Sequence, residues 1–296
     1  MQDYLLLNGT FDASRIIPEI ERINAEQFGN LDGQPIISVS KMLEFISEPF
    51  DKVGQAAKCE AKGKLDPNYK YAGMTADEII AQWEAKADES KRYGQLLDEY
   101  TECVFEKSPE ETEIWKLDNN YDYDERLYGN CTGFEQFVAD LKQWGFVYVG
   151  RELPMYGRSD NGTVTAGRMD CLFVNPAARK LFVIDWKTTE DITTEAFRHR
   201  TLKGPAFSIE DCDMGKYSIQ LYDYVWSLCN TYHLLPAENI VCSVVNLLRT
   251  EDPKLKRNYK LFKPLGQFST KMMGDIADFA VRKRELIKKA ESLQNK

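Results

Sequence analysis

Two charged side chains stand at the end of a strongly apolar stretch, "LFVIDWKTTE", in the second half of the sequence. Asp185 and Lys187 are two residues apart, so an extended strand would direct both side chains to the same face of its sheet. The four residues before them are apolar, as expected of a buried strand. The pattern therefore predicts a core strand whose tip carries an anionic and a cationic group.

A second carboxylate is expected to face the first across a hairpin. An Asn-Pro turn signal separates this strand from the preceding one, which allows Val174 to pair with Leu181. In that register Asp170 lies directly opposite Asp185. Facing carboxylates repel unless a cation lies between them, and oxygen ligands favour a hard cation such as Mg²⁺ or Mn²⁺. Lys187 could then stabilise an anionic oxygen, such as that of a phosphate, beside the metal. The alternative is a solvated sheet edge on which Lys187 forms an ordinary ion pair.

The elements that must position these side chains follow from hydrophobic periodicity and turn signals. Three strand candidates come after a helix whose end is marked by Gly145, as a glycine at the C′ position predicts. This order predicts an α/β (α+β) domain with a central mixed β-sheet flanked by helices and a helical N-terminal part. The predicted elements are a helix at 133–144, strands at 146–153, 163–174 and 180–187, a helix at 216–232, a strand at 239–248 and a helix at 270–294.

A long helix is predicted upstream, from about Thr75 to Phe105. Thr75 and Glu78 have the spacing of a capping box. Gly94 inside this helix costs about 1 kcal/mol relative to alanine, which indicates a close approach of the helix to another element. The predicted buried stripe consists of Ile80, Trp83, Ala87, Ser90, Gly94, Leu97, Thr101 and Val104.

Domain organisation is predicted as a lead-in at 1–35 followed by one domain at 36–296. Residues 106–130 are acidic, aromatic and turn-rich, which is typical of an insertion or flap. Residues 188–215 have the composition of a loop.

The net charge of −9 taken alone argues against a nucleic-acid binder, but the charge is unevenly distributed. Residues 1–150 carry a net −14 and residues 151–296 a net +5. The basic residues collect in 198–203, 254–260 and 281–289. Such asymmetry points weakly to a polyanionic partner on one face, although ordinary solvated helices and loops explain each cluster by itself equally well.

Cysteine usage and hydropathy argue against several classes of protein. The seven cysteines are scattered without a CxxC pair, which predicts reduced thiols, and no iron–sulfur cluster is expected. The sequence has no apolar run of 18 residues and no basic leader. No membrane span and no signal peptide are therefore expected, and the protein is predicted to be cytoplasmic.

The motifs around the strand tip resemble those of the PD-(D/E)XK nuclease superfamily. "GRMD" (167–170), a hairpin and "IDWKT" (184–188) match its Asp…Asp-x-Lys signature. Gln220 and Tyr224 match the Q-x-x-x-Y element of RecB-like nucleases and phage-type exonucleases. The long upstream helix is similar to one in which that group has a glycine followed four residues later by a metal-binding histidine. The resemblance spans about 36–290 and implies a restriction-endonuclease-like core.

The resemblance implies roles for the residues at the strand tip. Asp170 and Asp185 would ligate the metal together with the backbone carbonyl of Trp186. Lys187 would orient the attacking water and balance charge in the transition state.

Four further residues match positions of the family. Glu152, at the end of the first strand, would be an additional acidic residue near the metal, although a strand-end ion pair explains it as well. Gln220 and Tyr224 would hold the loop after the third strand or contact a DNA phosphate, and Tyr224 alone could be part of the core. Asp98 stands where the family has its histidine. It would be a metal ligand or, equally well, an exposed helix residue.

The resemblance implies a Mg²⁺- or Mn²⁺-dependent deoxyribonuclease that hydrolyses phosphodiester bonds. The leading hypothesis is a RecB-like exonuclease acting on DNA ends in recombination, replication or repair. A separate helicase or single-strand annealing protein is the implied partner, and a bacterial or phage-infected cell is the implied setting. Two alternatives stay open: an endonuclease of the same fold, and a nucleic-acid-binding module that no longer cuts, which the substitution at Asp98 motivates.

Overall fold

The computed structural model of the protein describes residues 30–31 and 34–294, so most of the predicted lead-in at 1–35 lies outside the described residues. Within that part of the chain, no helix has a stretch long and apolar enough to cross a lipid bilayer. The helices are α1 (Val39–Ile46), α2 (Lys52–Leu65), α3 (Ala76–Glu106), α4 (Pro109–Asp118), α5 (Glu125–Gln143), α6 (Asp213–Trp226) and α7 (Thr270–Gln294). The strands are β1 (Asn30–Leu31), β2 (Gln34–Ser38), β3 (Val147–Arg158), β4 (Val164–Asn175), β5 (Lys180–Lys187), β6 (Ile240–Asp252) and β7 (Arg257–Phe262).

The chain divides into two compact units. One comprises the described residues up to Glu48 and from Gly129 onwards, and it contains all the strands named above. The other, Pro49–Tyr128, is helical. The single domain at 36–296 stays a prediction.

The sheet is mixed and is built around a three-strand meander. β3 pairs antiparallel with β4, and β4 pairs antiparallel with β5. After α6 the chain returns as β6, parallel to β5, and β7 then pairs antiparallel with β6. β2 joins β4 in parallel at residues 164–166, whereas β5 joins β4 at residues 171–175, and the sheet is curled. The predicted mixed α/β architecture, a central sheet flanked by helices, is confirmed at this level.

β5 is apolar on both faces because helices cover both. Val183 belongs to a core cluster that includes residues of α6. On the opposite face the ring of Trp186 contacts Phe137 of α5 edge to face, with centroids 5.7 Å apart. Strand alternation then directs Asp185 and Lys187 to the α6 face. The continuous apolar run of β5 is typical of a strand that is buried on both sides.

The predicted hairpin register is confirmed. Val174 pairs with Leu181, and the ladder between β4 and β5 extends to Cys171 and Ile184. β5 also has the predicted bounds, because the apolar run and the Asn-Pro turn are both local signals. β7 was not predicted, since only two of its six residues are buried and its sequence is mostly polar.

The long helix α3 begins as predicted, but its buried face differs. Thr75 and Glu78 form the capping box, in which the backbone N–H of Thr75 donates to Oε2 of Glu78 over 2.8 Å. The predicted stripe was right for Leu97 and Thr101 but wrong for Ala87, Gly94 and Val104, which are exposed. A Cβ added at Gly94 would meet no atom of the described residues within 4 Å, so the close approach predicted there is not found within the unit Pro49–Tyr128. The buried residues of α3 that were not predicted are Ile79, Tyr93, Tyr100 and Cys103.

The segment interpreted as an insertion or flap, residues 106–130, is largely helical. Ser108 and Glu111 form a second capping box at the start of α4, a helix with no buried residue. After it, Tyr121 is buried and its ring stacks on Tyr100 with centroids 6.2 Å apart. The prediction of turns was wrong for α4, because the capping box of Ser108 and Glu111 starts a helix there despite the turn-rich composition of the segment. A flap function stays a prediction.

Candidate functional site

Asp185 is buried at the tip of β5 and faces an ammonium group. Asp185 is 1% exposed, and its Oδ2 lies 2.6 Å from Nζ of Lys187, whose side chain is 22% exposed. Apart from this ion pair, neither carboxylate oxygen accepts a hydrogen bond from the described residues. Buried polar atoms normally have hydrogen-bond partners, so Asp185 has the capacity to bind a further ligand.

Asp170 lies beside Asp185, one position beyond the last pair of the ladder between β4 and β5. Its Oδ2 accepts the backbone N–H of Trp186 over 2.8 Å, which fixes the carboxylate at the tip of β5. Burial, and next the charge of Asp185, raise the pKa of Asp170 to about 8, against the opposing effects of Lys187 and of the Trp186 N–H. A cation bound beside Asp170 would favour the ionised form of this carboxyl group and would therefore be stabilising there.

Lys187 carries its charge in this environment. Burial lowers its pKa, but Asp185 and Asp170 outweigh burial and raise the pKa above its ordinary value. The ammonium lies 4.7 Å from the ring centroid of Tyr217 on α6, a cation–π contact. Sequence reasoning missed Tyr217, although it lies three residues before Gln220 and therefore on the same helical face.

Glu152 brings a third carboxylate next to these strands. In the antiparallel ladder between β3 and β4, Arg151 pairs with Cys171 and Leu153 pairs with Met169, so Glu152 lies opposite Asp170. The charge of Glu152 contributes to the raised pKa of Asp170, and its Oε2 lies 3.8 Å from Nη1 of Arg168. Its φ of 48° is in the left-handed region, a costly conformation for a residue other than glycine. Glu152, Asp170 and Asp185 are thus neighbours across three adjacent strands.

Gln220 and Tyr224 form hydrogen bonds that reach β4, whereas their predicted contact with the loop after β5 stays a prediction. The hydroxyl of Tyr224 donates a hydrogen bond to the backbone carbonyl of Arg168, and Nε2 of Gln220 donates to that hydroxyl over 3.2 Å. Arg168 precedes Asp170 by two residues, so this chain of hydrogen bonds positions the strand that carries the carboxylate. Gly167 permits the approach of α6, because a Cβ there would lie 3.2 Å from Cε1 of Tyr224. A contact of these side chains with DNA stays a prediction.

A cavity of about 180 Å³ adjoins the same hydrogen bonds. Gln220 and Tyr224 line it together with Arg168 and with Ser38 and Ser40 at the start of α1. It offers space for a small polar group next to the strand that carries Asp170.

Asn246 is a polar residue of this region that sequence reasoning missed. It lies on β6 directly beside Lys187 in the parallel register with β5, and it is 2% exposed. Its Oδ1 accepts no hydrogen bond from any residue that the structure describes. Neighbours in register point the same way, so this amide lies on the face of Asp185 and Lys187. The available signal was an asparagine inside the apolar run "SVVNLL", where burial without a partner is costly.

Asp98 belongs to the other compact unit, Pro49–Tyr128, where it is exposed on α3. Its backbone carbonyl accepts a hydrogen bond from the hydroxyl of Thr101 over 2.8 Å. The role of Asp98 as a metal ligand stays a prediction.

The potential metal ligands around Asp185 are oxygen atoms, which suit a hard cation. Asp170, Asp185, the carbonyl of Trp186 and the amide of Asn246 offer oxygen, the ligand that Mg²⁺ prefers. Apart from the ion pair with Lys187, the side-chain oxygens of Asp185 have no hydrogen-bond donor among the described residues, and neither has Oδ1 of Asn246. Among the residues that the structure describes, no three carboxylate, imidazole or thiol groups lie close enough together to bind a metal ion by themselves. Mg²⁺ often binds through one or two carboxylates and keeps several waters, which suits such a set. No protein-family model matches the chain, and no curated protein is significantly similar to it in sequence.

Proposed function

We propose that the protein is a Mg²⁺-dependent nuclease that hydrolyses phosphodiester bonds in DNA and acts on DNA ends as a RecB-like exonuclease. One observation carries the proposal. Asp170 and Asp185 lie side by side on neighbouring strands, and the ammonium of Lys187 lies 2.6 Å from Oδ2 of Asp185, whose carboxylate accepts no other hydrogen bond from the described residues. Open carboxylate lone pairs beside a fixed positive charge suit the joint binding of a metal ion and a phosphate.

The residues of the site divide the chemistry between them. Asp170, Asp185 and the backbone carbonyl of Trp186 would hold the ion. Mg²⁺ bound there would lower the pKa of a water molecule and neutralise phosphate charge. The ammonium of Lys187, kept charged by the two carboxylates, would bind a phosphate oxygen that becomes more negative during the reaction. Tyr217 restricts the ammonium from the α6 side through its ring.

The order of the elements supports the proposal. The antiparallel meander of β3, β4 and β5 is followed by α6 and then by β6, parallel to β5. This arrangement is compatible with the restriction-endonuclease-like core that the sequence resemblance implies. Asp185 and Lys187 lie at the C-terminal end of β5, where the chain leaves the sheet.

Basic residues of the second half of the chain supply a counter-charge for DNA. The clusters at 198–203, 254–260 and 281–289 all contain exposed cationic residues. Contacts of this kind follow the phosphate backbone and give affinity that does not depend on base sequence. A nuclease that acts on DNA ends requires this kind of binding.

A nucleic-acid-binding module that does not cut is the second candidate, because two observations favour it. No three potential ligand side chains converge within the described residues, and Lys187 already neutralises Asp185 at 2.6 Å. In that case the ion pair would be structural and binding would not depend on Mg²⁺. Incubation of linear and closed circular DNA with Mg²⁺ or with EDTA separates the candidates. Loss of linear DNA alone identifies an exonuclease, cutting of circles an endonuclease, and binding without cleavage the module.

The variant that tests the site is Asp185→Asn. The amide keeps the shape of the side chain but loses the negative charge, so cleavage in Mg²⁺ is expected to fall by about 100-fold or more. Calorimetry should show a parallel loss of Mg²⁺ binding. Asp191→Asn is the matched control, since Asp191 is an exposed aspartate shortly after the same strand. Cleavage by Asp185→Asn at the rate of the control would show that the proposed site is wrong.

A further inference from the structure

The segment between β5 and α6 exposes two phenylalanines on a structured loop. Phe197 is 78% exposed and Phe207 is 69% exposed, which is unusual for two large apolar side chains in one short segment. The loop contains short 3₁₀ turns at Phe197–His199 and Gly204–Ala206. Its buried anchors, which lie between or beside the exposed rings, are Ala196, Leu202, Ala206 and Ile209.

Glu210 fastens the part of the loop that carries Phe197. Its carboxylate accepts the backbone N–H of Ala196 over 2.5 Å and lies 2.9 Å from Nδ1 of His199. A backbone hydrogen bond also holds the loop in place, because the N–H of Asp211 donates to the carbonyl of Arg200 over 2.8 Å. Residues on both sides of Phe197 and Arg198 are therefore held in place.

The backbone between the hydrogen bonds of Glu210 and that of Asp211 is strained. Arg198 and His199 have φ values of 58° and 50°, a left-handed conformation that costs a residue with a side chain about 1–3 kcal/mol. Such strain persists only where the surrounding contacts enforce it, as the contacts of Glu210 do here. The result is that Phe197 and Arg198 both stand exposed at the surface.

Arg198 and Phe197 form one composite surface. The guanidinium carbon of Arg198 lies 5.1 Å from the centroid of the Phe197 ring, which is a cation–π distance. Within the described residues no carboxylate forms an ion pair with Arg198, whereas Arg200 and Lys203 are paired with Asp211 and Glu48. An exposed ring with an uncompensated guanidinium over it offers a π-face and a positive charge to a single ligand.

We propose that Phe197 and Arg198 form a platform for an unpaired nucleic-acid strand, with a base stacked on the ring and a phosphate bound by the guanidinium. Bases carry a π-face and a negative phosphate on every nucleotide, which matches this pair of groups. The proposal rests on the proposed function for its assignment of nucleic acid, and it adds that the chain engages single-stranded segments. The loop starts directly after Lys187 and leads into α6, so a strand on the platform lies on the connection between the two elements of the candidate site.

Fluorescence anisotropy of a labelled single-stranded DNA oligonucleotide with the full chain, in EDTA, tests the platform without cleavage. Phe197→Ala is expected to weaken binding by about tenfold, as loss of one stacked base predicts. Arg198→Ala is expected to weaken binding and to reduce the slope of log affinity against log salt by about one phosphate contact. Phe197→Trp should retain binding. Because these side chains are exposed, folding should not change, and equal thermal midpoints would verify this.

Phe207→Ala is the matched control, because it removes a similarly exposed ring of the same loop that has no cation over it among the described residues. Its affinity should stay within about twofold of the wild type, since no base is proposed to stack there. Wild-type affinity in Phe197→Ala, or equal weakening in Phe197→Ala and Phe207→Ala, would overturn the platform.

Asp185→Asn in the Mg²⁺ cleavage assay, run beside the binding assay in EDTA, separates this proposal from the nuclease proposal. If the wild type cuts no DNA but Phe197→Ala still loses single-strand binding, the platform stands and the nuclease proposal fails. If Asp185→Asn loses cleavage while Phe197→Ala binds like the wild type, the nuclease stands and the platform fails. Absence of any nucleic-acid binding by the wild type would overturn both.

Discussion

Among single residues, Asp185 and Lys187 depend on each other most directly. The carboxylate is almost fully buried, and the ammonium 2.6 Å away is the contact that compensates its charge. Asp170 adds a second carboxyl group at the same place, and its pKa of about 8 keeps it largely protonated at neutral pH while no cation is bound. The charges of Asp185 and Lys187 then balance each other, and a bound divalent ion would favour the ionised form of Asp170.

Lys187→Met tests this balance in the absence of substrate. Removing one partner of a buried pair leaves an uncompensated charge, so the free energy of unfolding is expected to fall by roughly 3–5 kcal/mol in EDTA. Mg²⁺ should restore stability more in the variant than in the wild type, because the ion no longer shares the site with an ammonium. Denaturant unfolding with and without Mg²⁺ measures both effects. Lys180→Met, at the exposed start of the same strand, is the control, and an equal loss in both variants would contradict the expectation.

Asp223, next to Tyr224 on α6, is another buried carboxyl group, and its Oδ2 accepts no hydrogen bond from the described residues. It is 0% exposed, and the hydroxyl of Thr165 donates to its Oδ1 over 2.8 Å. Burial raises its pKa to about 7, against the weaker opposing effect of that hydrogen bond. The folded state therefore holds the proton more tightly than the unfolded chain, whose aspartate pKa is about 3.9. The stability that Asp223 contributes is present below about pH 4 and is lost as pH rises through about 7.

Asp223→Asn is expected to flatten this pH dependence. From about pH 5 to about pH 8 the wild type should lose about 2 kcal/mol more free energy of unfolding than the variant. Urea unfolding at the two pH values measures the difference. Asp160→Asn removes an exposed aspartate and should follow the wild type. Parallel curves for wild type and Asp223→Asn would show that Asp223 is charged throughout.

At the scale of elements, α6 organises the candidate site. Tyr217 contacts the ammonium of Lys187, while Gln220 and Tyr224 hold β4 close to Asp170. These three side chains follow the spacing of three and four residues that defines one helical face. One helix thus sets the position of groups on two different strands, and a shift of α6 would alter both at once.

The helix α3 provides the test of an element by itself. Gly94 is exposed, and a Cβ there would meet no atom of the described residues within 4 Å, so Gly94→Ala is expected to raise the free energy of unfolding by about 0.5–1 kcal/mol. Gly167→Ala on β4 is the contrasting variant. Its Cβ would lie 2.9 Å from Cγ2 of Val39, so it is expected to destabilise. Thermal and urea unfolding of both variants measure the signs. A loss of stability in Gly94→Ala would indicate a neighbour that restricts this position.

At the scale of the whole molecule, the two halves of the sequence differ in net charge and in their content of strands. Residues 1–150 have a net charge of −14, and residues 151–296, which include β4 to β7 and most of β3, have +5. The basic excess therefore belongs to the part of the chain that carries Asp170, Asp185 and Lys187. A polyanion would be attracted to this part, and the acidic half would disfavour unspecific association elsewhere.

Local signals were enough to predict much of this protein. Capping at Thr75, the apolar run of β5 and the Asn-Pro turn each act within a few residues, so the helix start, the strand bounds and the pairing of Val174 with Leu181 follow from the chain alone. Because that register is set by the turn, the proximity of Asp170 and Asp185 could also be predicted.

Contacts between elements that are distant in sequence required the folded structure. Only the packing of α6 and the strands places the ring of Tyr217 over Lys187 and imposes the left-handed backbone of Glu152. It also leaves Oδ1 of Asn246 without a hydrogen-bond donor among the described residues. The lack of a described atom within 4 Å of a Cβ at Gly94 is likewise a property of packing, which helix periodicity does not encode. Periodicity specifies which face of an element is apolar, whereas the neighbour that covers this face is selected by the packing of the whole chain.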